Sequence, residues 1–265
     1  MSARPTSARY DQLGVGYNRT RAGDPGLAAN LQRLLGGLAP GTPVLDLGCG
    51  TGNYTRLLAN AGLEMTGVDP SEVMLEAARA DGSSIRWVKS SGEALPFGAG
   101  SFRGIVSTNT IYHFKDPVAV FREARRVLSG GALVLFAALR EQVRGYWLRR
   151  YFPAAVEGAA ATAVPRAALE GWLREAGFAG VEVELWRVPP DLKDLFWYSG
   201  KDRPELYFDD EVRSGISAFR LYSPPEEQRA GLKALRADLD AGRWPAVRAT
   251  ADEAAGDYAF ITARC

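Results

Sequence analysis

The pattern of apolar and polar positions begins with a polar stretch and then takes on helical spacing. Residues 1–24 show little periodicity and are expected to form an arm. Asp24 is a favoured N-cap and Pro25 fits a first helical turn, so we expect a helix to begin there. Leucines then recur every three or four positions, the spacing of one helix face: Leu27, Leu31, Leu34, Leu35 and Leu38.

Short apolar runs alternate with further helical segments over the next hundred or so positions. The predicted strands are residues 44–47, 64–68, 85–88, 104–107 and 133–136. The predicted helices between them are residues 53–60, 71–80 and 117–128. Such βαβ alternation is typical of a parallel sheet covered by helices on both faces.

The alternation changes after residue 136. Residues 141–158 have a helical pattern with an aromatic side. Residues 189–256, which precede the last predicted strand (258–262), are too many for a simple βα connection. We therefore expect an inserted cap that contains a helix at 226–240. The predicted organisation is an arm and core at 1–140, a cap segment at 141–164, a core helix and strand at 165–188, a cap insertion at 189–256 and a final core strand at 257–265.

Composition and charge narrow the class of protein. The 265 residues carry a formal net charge of +1, and the basic groups are scattered, which argues against a nucleic-acid partner. No run reaches the roughly 20 apolar residues of a membrane span, and the N-terminus lacks an apolar signal core. Cys49 and Cys265 lie far apart and the chain has one histidine. We expect no structural disulfide, no metal site and a cytoplasmic location. The sequence carries no indication of oligomeric state.

A glycine-rich segment follows the first predicted strand, with Gly48, Gly50 and Gly52 at alternate positions. Glycines at a strand-to-helix turn allow positive φ and close approach of a ligand to backbone amides. The spacing differs from the G-x-G-x-x-G dinucleotide fingerprint, so an NAD-dependent dehydrogenase is disfavoured. Asp46 before the turn suits a cationic ligand group, and Asp69 ends the next strand where a carboxylate can accept from ribose hydroxyls. The alternative is that both are only strand-end turn residues.

In this order the motifs resemble the class I, seven-stranded S-adenosylmethionine-dependent methyltransferases, and among them the small-molecule branch that includes quinone-biosynthesis C-methyltransferases. The resemblance covers residues 10–136. It is carried by residues 44–52, by residues 67–71, by residues 90–97, in which Ser91 stands where the family usually has Asp, and by residues 126–131. It implies a Rossmann-like, mostly parallel seven-stranded sheet with helices on both faces and an antiparallel seventh strand.

The resemblance also implies S-adenosylmethionine as the cofactor. It places Asp69 on the ribose and Met74 on the adenine, although Met74 has plain core packing as its alternative. Tyr17 and Arg21 belong to an arm that folds over the methionine end, or else to a surface arm with aromatic anchors. The expected cofactor-binding residues are Tyr17, Arg21, Asp46, Gly48, Cys49, Gly50, Asn53, Asp69, Pro70, Met74, Ser91, Gly92, Glu93 and Asn109.

Methyl transfer is an in-line displacement, for which a protein aligns the nucleophile and, where needed, removes its proton. His113 follows the fourth predicted strand and is a candidate general base, with pinning of the loop as its alternative. Tyr17 is the second catalytic candidate. Aromatic side chains suit a flat or apolar acceptor, although they can equally bury the cap on the sheet. The expected acceptor pocket comprises Tyr10, His113, Trp147, Tyr151, Phe196, Trp197 and Tyr198.

The sequence therefore predicts an enzyme, a methyltransferase for a small aromatic or apolar acceptor with a role in secondary metabolism. A cap long enough to enclose the site argues against a nucleic-acid or protein substrate. The competing hypothesis is a protein of the same fold that binds the cofactor without transferring methyl, either as a regulatory module or as the catalyst of a rearrangement.

Overall fold

A computed structural model describes residues 20–265 and shows a seven-stranded sheet in the order β3-β2-β1-β4-β5-β7-β6. The first five strands pair in parallel, and β7 runs antiparallel to both β5 and β6. This architecture confirms the predicted fold class. The strands are β1 (Pro43–Leu47), β2 (Glu64–Asp69), β3 (Arg86–Lys89), β4 (Phe102–Thr108), β5 (Leu128–Ala137), β6 (Gly180–Trp186) and β7 (Tyr258–Arg264).

Helices cover both faces of this sheet because its central strands are apolar on both sides. The residues of β7 up to Ala263 are buried throughout, and the apolar side chains divide between one cluster on each face. Sheets that are buried on both faces need such covering layers. The core helices are α1 (Pro25–Leu34), α2 (Asn53–Asn60), α3 (Glu72–Arg79), α4 (Pro117–Val127) and, later in the chain, α7 (Arg166–Glu175).

Residues 141–158 form separate pieces, not one helical segment. Helix α5 (Arg140–Arg144) ends at Gly145, a 3₁₀ turn follows, and α6 (Pro153–Thr162) begins anew at Pro153. Proline lacks an amide and pushes the residue before it out of the α region, and Phe152 has φ −133° and ψ 63°. A helix therefore cannot run through this position.

The cap insertion packs its helices onto α6 and onto the aromatic side chains of the neighbouring strands. Phe136 on β5 stacks on Tyr258 of β7, with ring centroids 4.9 Å apart, and Phe196 of the insertion packs against both. The insertion contains α8 (Asp210–Gly215), α9 (Ser217–Tyr222), α10 (Pro225–Asp240) and α11 (Trp244–Arg248). Helix α10 agrees closely with the helix expected at 226–240. Among residues 20–265, no helix combines the length and apolar character needed to cross a membrane.

Candidate functional site

A cavity of about 420 Å³ lies at the carboxyl ends of the parallel strands. Across the sheet, its wall consists of residues 90–93 after β3, residues 69–71 after β2, residues 48–51 after β1 and residues between 108 and 115 at and after the end of β4. Open α/β sheets bind ligands at this edge, and this volume is within the range of small-molecule sites.

The glycine-rich turn brings the backbone to the cavity wall. Gly48 and Gly50 have φ values of 76° and 53°, and the amides of Gly48 and Cys49 both donate to the carbonyl of Val68. A Cβ atom on Gly48 would lie 2.2 Å from Cγ2 of Thr110. The turn therefore needs glycine at position 48 both for its conformation and for space.

Asp69 joins this turn to the next one. Its Oδ2 accepts from the amide of Gly50 at 2.9 Å, and its Oδ1 accepts from the amide of Ser71 at 2.9 Å. Both bonds hold the carboxylate in place at the cavity wall, between the ends of β1 and β2. A carboxylate fixed in this way is available to accept hydrogen bonds from ligand hydroxyls.

Asp46 lies behind the turn and does not border the cavity. The carboxylate is 1% exposed, accepts from Oγ1 of Thr55 at 2.6 Å, and has no partner for Oδ1 among the described residues. Burial raises its pKa from 3.8 to about 7, with a smaller contribution from Asp69. Asp46 therefore lies outside the cavity wall, since its side chain is engaged with Thr55, and direct ligand contact by Asp46 stays a prediction.

Arg21 borders the cavity with its charge already paired. Its Nε lies 2.6 Å from Oδ1 of Asp194, a cavity-wall residue from the cap insertion that the sequence analysis missed. The hydroxyl of Tyr54 donates to Oδ2 of the same carboxylate at 3.0 Å. Asn53 is tied to this group as well, because its side-chain amide donates to the carbonyl of Arg21.

His113 lies on a 3₁₀ turn after β4, and burial lowers its pKa from 6.5 to about 4. The imidazole is therefore neutral near pH 7 and is a weak proton acceptor. Its ring meets that of Tyr112 edge-on, with centroids 4.4 Å apart. Asn109, which precedes this turn, has a φ of 53°, a conformation that Asn tolerates better than most residues.

A second cavity, of about 90 Å³, adjoins the first. The two share wall residues that include Asn109, Tyr112 and His113. Most of the remaining wall is apolar or aromatic, contributed by α6, α9 and the segment before the cap helices. Its side chains include Ala138, Val143, Ala159, Ala163, Phe196, Trp197, Ile216, Ala218, Leu221, Tyr222 and Tyr258.

Only part of the predicted acceptor pocket borders either of these two cavities. His113, Phe196 and Trp197 do, whereas Trp147, Tyr151 and Tyr198 are buried in the packing of the cap. The polar atoms of these three rings have partners there: the indole of Trp147 donates to the carbonyl of Lys201, the hydroxyl of Tyr151 to Asp238, and that of Tyr198 to the carbonyl of Gln142. These three rings are core residues, which corrects that prediction.

The predicted cofactor-binding residues converge on the larger cavity more closely than the predicted acceptor residues converge on the smaller one. Those on its wall are Arg21, Gly48, Cys49, Gly50, Asn53, Asp69, Pro70, Met74, Ser91, Gly92, Glu93 and Asn109. Tyr10 and Tyr17 lie outside the described residues. Wall residues without a sequence signal include Tyr54, Thr110, Lys115, Asp194, Gly215 and Ser217. Within residues 20–265, no cluster of His, Cys, Asp and Glu has the arrangement of a metal site.

Comparisons with known proteins agree with this geometry. A family model described as a methyltransferase domain matches residues 45–136. The ubiquinone biosynthesis O-methyltransferase of Methylococcus capsulatus is 30% identical over 157 residues, which are 54% of this chain and 66% of that protein. The alignments with the first curated relatives span 38%, 66% and 43% of the relatives' own lengths.

Two solved structures extend the likeness beyond the matched segment. A protein of Anabaena variabilis, described as a methyltransferase from an antibiotic biosynthesis pathway, superposes with a TM-score of 0.82 at 32% identity, over 93% of this chain and 99% of that one. The phosphoethanolamine N-methyltransferase 2 of Haemonchus contortus, solved with S-adenosylhomocysteine, has a TM-score of 0.63 at 18% identity, over 100% of this chain and 60% of that one. The second likeness concerns the fold alone.

Proposed function

We propose that this chain, which belongs to the class I S-adenosylmethionine-dependent methyltransferases, transfers the methyl group of that cofactor to a small apolar or aromatic acceptor. The observation that carries the proposal is the pair of adjoining cavities that share Asn109, Tyr112 and His113. The larger cavity offers polar groups at the strand ends, and the smaller one offers mainly apolar walls. Two reactants held side by side in this way need little further alignment.

The residues of the larger cavity fit the cofactor. The turn at Gly48 leaves no room for a side chain, and Asp69 presents a fixed carboxylate, the group that holds ribose hydroxyls in nucleotide-binding α/β folds. Met74 is on the wall, where we expect it to pack against the adenine ring. When bound, S-adenosylmethionine supplies a methyl group on a positively charged sulfur. The protein contributes position and exclusion of water.

The smaller cavity favours an uncharged acceptor. Among residues 20–265, Arg21 is the only charged residue on its wall, and Asp194 pairs with it at 2.6 Å. An isolated charge on the acceptor would find no partner there, and burying it would be costly. His113 stays neutral near pH 7, so it orients the acceptor by hydrogen bonding and does not act as a strong base. The Anabaena protein supports a role in secondary metabolism, since it is described as part of an antibiotic biosynthesis pathway.

The experiment is a transfer assay with methyl-labelled cofactor and a panel of neutral aromatic and apolar small molecules. We expect S-adenosylhomocysteine and a labelled product to appear in equal amounts. Two outcomes would contradict methyl transfer. Conversion of an acceptor into a product without the labelled methyl group would favour the rearrangement alternative, and a cofactor that binds and never loses its methyl group would favour the regulatory one.

Substitution on α6 tests which cavity holds the acceptor. Ala159→Leu adds bulk to the wall of the smaller cavity, and Ala161→Leu adds the same bulk at an exposed position two residues away. We expect Ala159→Leu to lower kcat/KM for the acceptor at least about tenfold, the loss that about 1.4 kcal/mol of lost transition-state binding produces, with unchanged affinity for S-adenosylhomocysteine. Ala161→Leu should leave both unchanged. Equal kinetics in the two variants would place the acceptor elsewhere.

A further inference from the structure

The cap insertion contributes one carboxylate to the wall of the larger cavity. Asp194 is 2% exposed and lies between two partners, the guanidinium of Arg21 at 2.6 Å and the hydroxyl of Tyr54 at 3.0 Å. It borders the larger cavity but not the smaller one, whereas Arg21 borders both. The carboxylate therefore faces the larger cavity and not the smaller one.

The position of this pair along the cavity identifies the part of the cofactor beside it. Met74, Ser91 and Gly92 belong to the side of β2 and β3, where adenine is expected. Arg21 shares its place with Asn109 and His113 at the end of β4, and its backbone carbonyl accepts from Asn53 at the start of α2. Asp194 and Arg21 thus lie at the opposite end, where the amino-acid part of the cofactor extends.

We propose that Asp194 binds the ammonium group of the cofactor's amino-acid end, beside Arg21, which binds its carboxylate. The proposal rests on the proposed function, since it assumes S-adenosylmethionine in the larger cavity. That end of the cofactor is a zwitterion, and the neighbouring Arg21 and Asp194 present the two complementary charges. Both protein charges keep an opposite charge beside them when the ligand docks, which buried ions require.

Asp46 is the competing carboxylate, and the structure argues against it. It does not border the cavity, and the glycine-rich turn separates it from any ligand there. Asp194 reaches the same cavity from a distant part of the chain. Its backbone neighbours are fixed to the start of the core, because the amide of Leu195 donates to the carbonyl of Thr20 and the amide of Lys193 donates to Oδ2 of Asp24.

Three ligands with the same adenosine part test the proposal by titration calorimetry on the full chain; the third of them also lacks the positive charge on sulfur. S-adenosylmethionine carries both charges, decarboxylated S-adenosylmethionine keeps the ammonium alone, and 5′-methylthioadenosine has neither. Asp194→Asn should weaken binding of the decarboxylated ligand about ten- to a hundredfold, the usual effect of a lost hydrogen bond between charged groups. Its affinity for 5′-methylthioadenosine should stay unchanged.

Arg21→Gln supplies the reciprocal measurement. It should weaken the binding of S-adenosylmethionine by a similar factor. The decarboxylated ligand should bind as tightly as before or more tightly, because Asp194 loses its internal partner. Asp202→Asn is the matched control, since Asp202 also pairs with an arginine, Arg248 at 2.7 Å, but away from the cavity. It should change none of the three affinities.

Two results would overturn the assignment. Unchanged binding of the decarboxylated ligand in Asp194→Asn would show that the carboxylate only fastens the cap. An equal loss for 5′-methylthioadenosine would show that the substitution distorts the whole cavity. If the unsubstituted chain binds none of the three ligands, the proposed function fails and this inference fails with it. If the unsubstituted chain binds S-adenosylmethionine and Asp194→Asn gives one of the two results above, only this inference fails.

Discussion

The aspartates near the glycine-rich turn share a residue type and differ in what surrounds them. Asp69 accepts from two backbone amides, and Asp194 forms an ion pair with Arg21. Asp46 has only the hydroxyl of Thr55, and its burial raises its pKa to about 7. Environment, not residue type, decides how each carboxylate is held, and only Asp69 and Asp194 border the larger cavity.

Asp46→Asn should change how stability depends on pH. The folded-state pKa, about 7, lies above the unfolded value of 3.8, so the folded chain holds a proton that the unfolded chain releases. The stability from that proton is complete below about pH 3.8 and is lost as pH rises through 7. Since one pKa unit corresponds to about 1.4 kcal/mol, asparagine should stabilise the chain at pH 8, relative to pH 4, by a few kcal/mol. Urea unfolding at both pH values measures this difference, and the same effect at both would contradict it.

Sequence reasoning could place at the cavity those residues whose neighbours in space are also neighbours in a motif. Gly48, Asp69 and His113 belong to turns that follow strands, and the strand order brings such turns to one edge. Asp194 has its decisive partner 173 positions away, and no local spacing indicates that contact. Trp147 and Trp197 are equally good pocket candidates from sequence, yet of the two only Trp197 borders one of the two cavities described above. Packing alone separates such rings, because core and pocket walls use the same side chains.

At the scale of elements, two helices begin with the same dipeptide in different surroundings. Asp24 caps α1 through the amide of Leu27, and Asp116 caps α4 through the amide of Ala119. Asp24 also accepts from the amide of Lys193 and is buried, whereas Asp116 is exposed. The first cap therefore joins α1 to the cap insertion, and the second serves only its own helix.

Asp24→Ala should be more destabilising than Asp116→Ala. Loss of an exposed N-cap costs about 1 kcal/mol. The variant at position 24 also removes the acceptor of the Lys193 amide, a partly buried hydrogen bond that contributes about 0.5–1.5 kcal/mol. Chemical denaturation of the two variants gives the comparison. Equal losses of unfolding free energy would mean that the contact to the insertion contributes nothing to stability.

Element boundaries followed local chemistry wherever a cap or a breaker was present. Helix α3 begins after Ser71, whose hydroxyl accepts from the amide of Met74, as the sequence predicts. Residues 141–158 were predicted to be helical because their aromatic side repeats with helical spacing. Pro153 interrupts that helix. The residue before a proline is disfavoured in the α region, so the sequence itself indicates a break at this position.

At the scale of the whole molecule, ligand binding and folding stability are linked through the larger cavity. Its wall draws residues from the core strands, from position 21 and from the cap insertion. A ligand that binds only this folded arrangement stabilises all of these parts together.

S-adenosylhomocysteine at a hundredfold excess over its Kd should add about 2.7 kcal/mol of stability. For a chain of this size that corresponds to a rise in Tm of about 5–10 °C, measured by thermal unfolding. Asp69→Ala should lose most of the rise at the same ligand concentration, and Asp116→Ala should keep it. A full shift in Asp69→Ala would contradict the ribose-binding role of that carboxylate.

The core half of the molecule was predictable and the cap half was predictable only in outline. The alternation of strands and helices, together with an antiparallel last strand, follows from periodicity and from the family resemblance, and the observed strand order agrees. The length of residues 189–256 indicated an insertion, and α10 was foreseen within it. Its path over the sheet depends on side-chain packing between distant segments, such as Phe196 against Phe136, which periodicity does not encode.

The place of β7 in the sheet determines when the sheet can close during synthesis. It lies between β5 and β6, which have no hydrogen bonds to each other, and it follows the entire cap insertion in the chain. A nascent chain on the ribosome therefore exposes one edge of β5 and the whole of β6 while the insertion is still being made. Unpaired strand edges invite aggregation. We expect the sheet to close late, after residues 258–264 have emerged, and the growing chain to depend on chaperones until then.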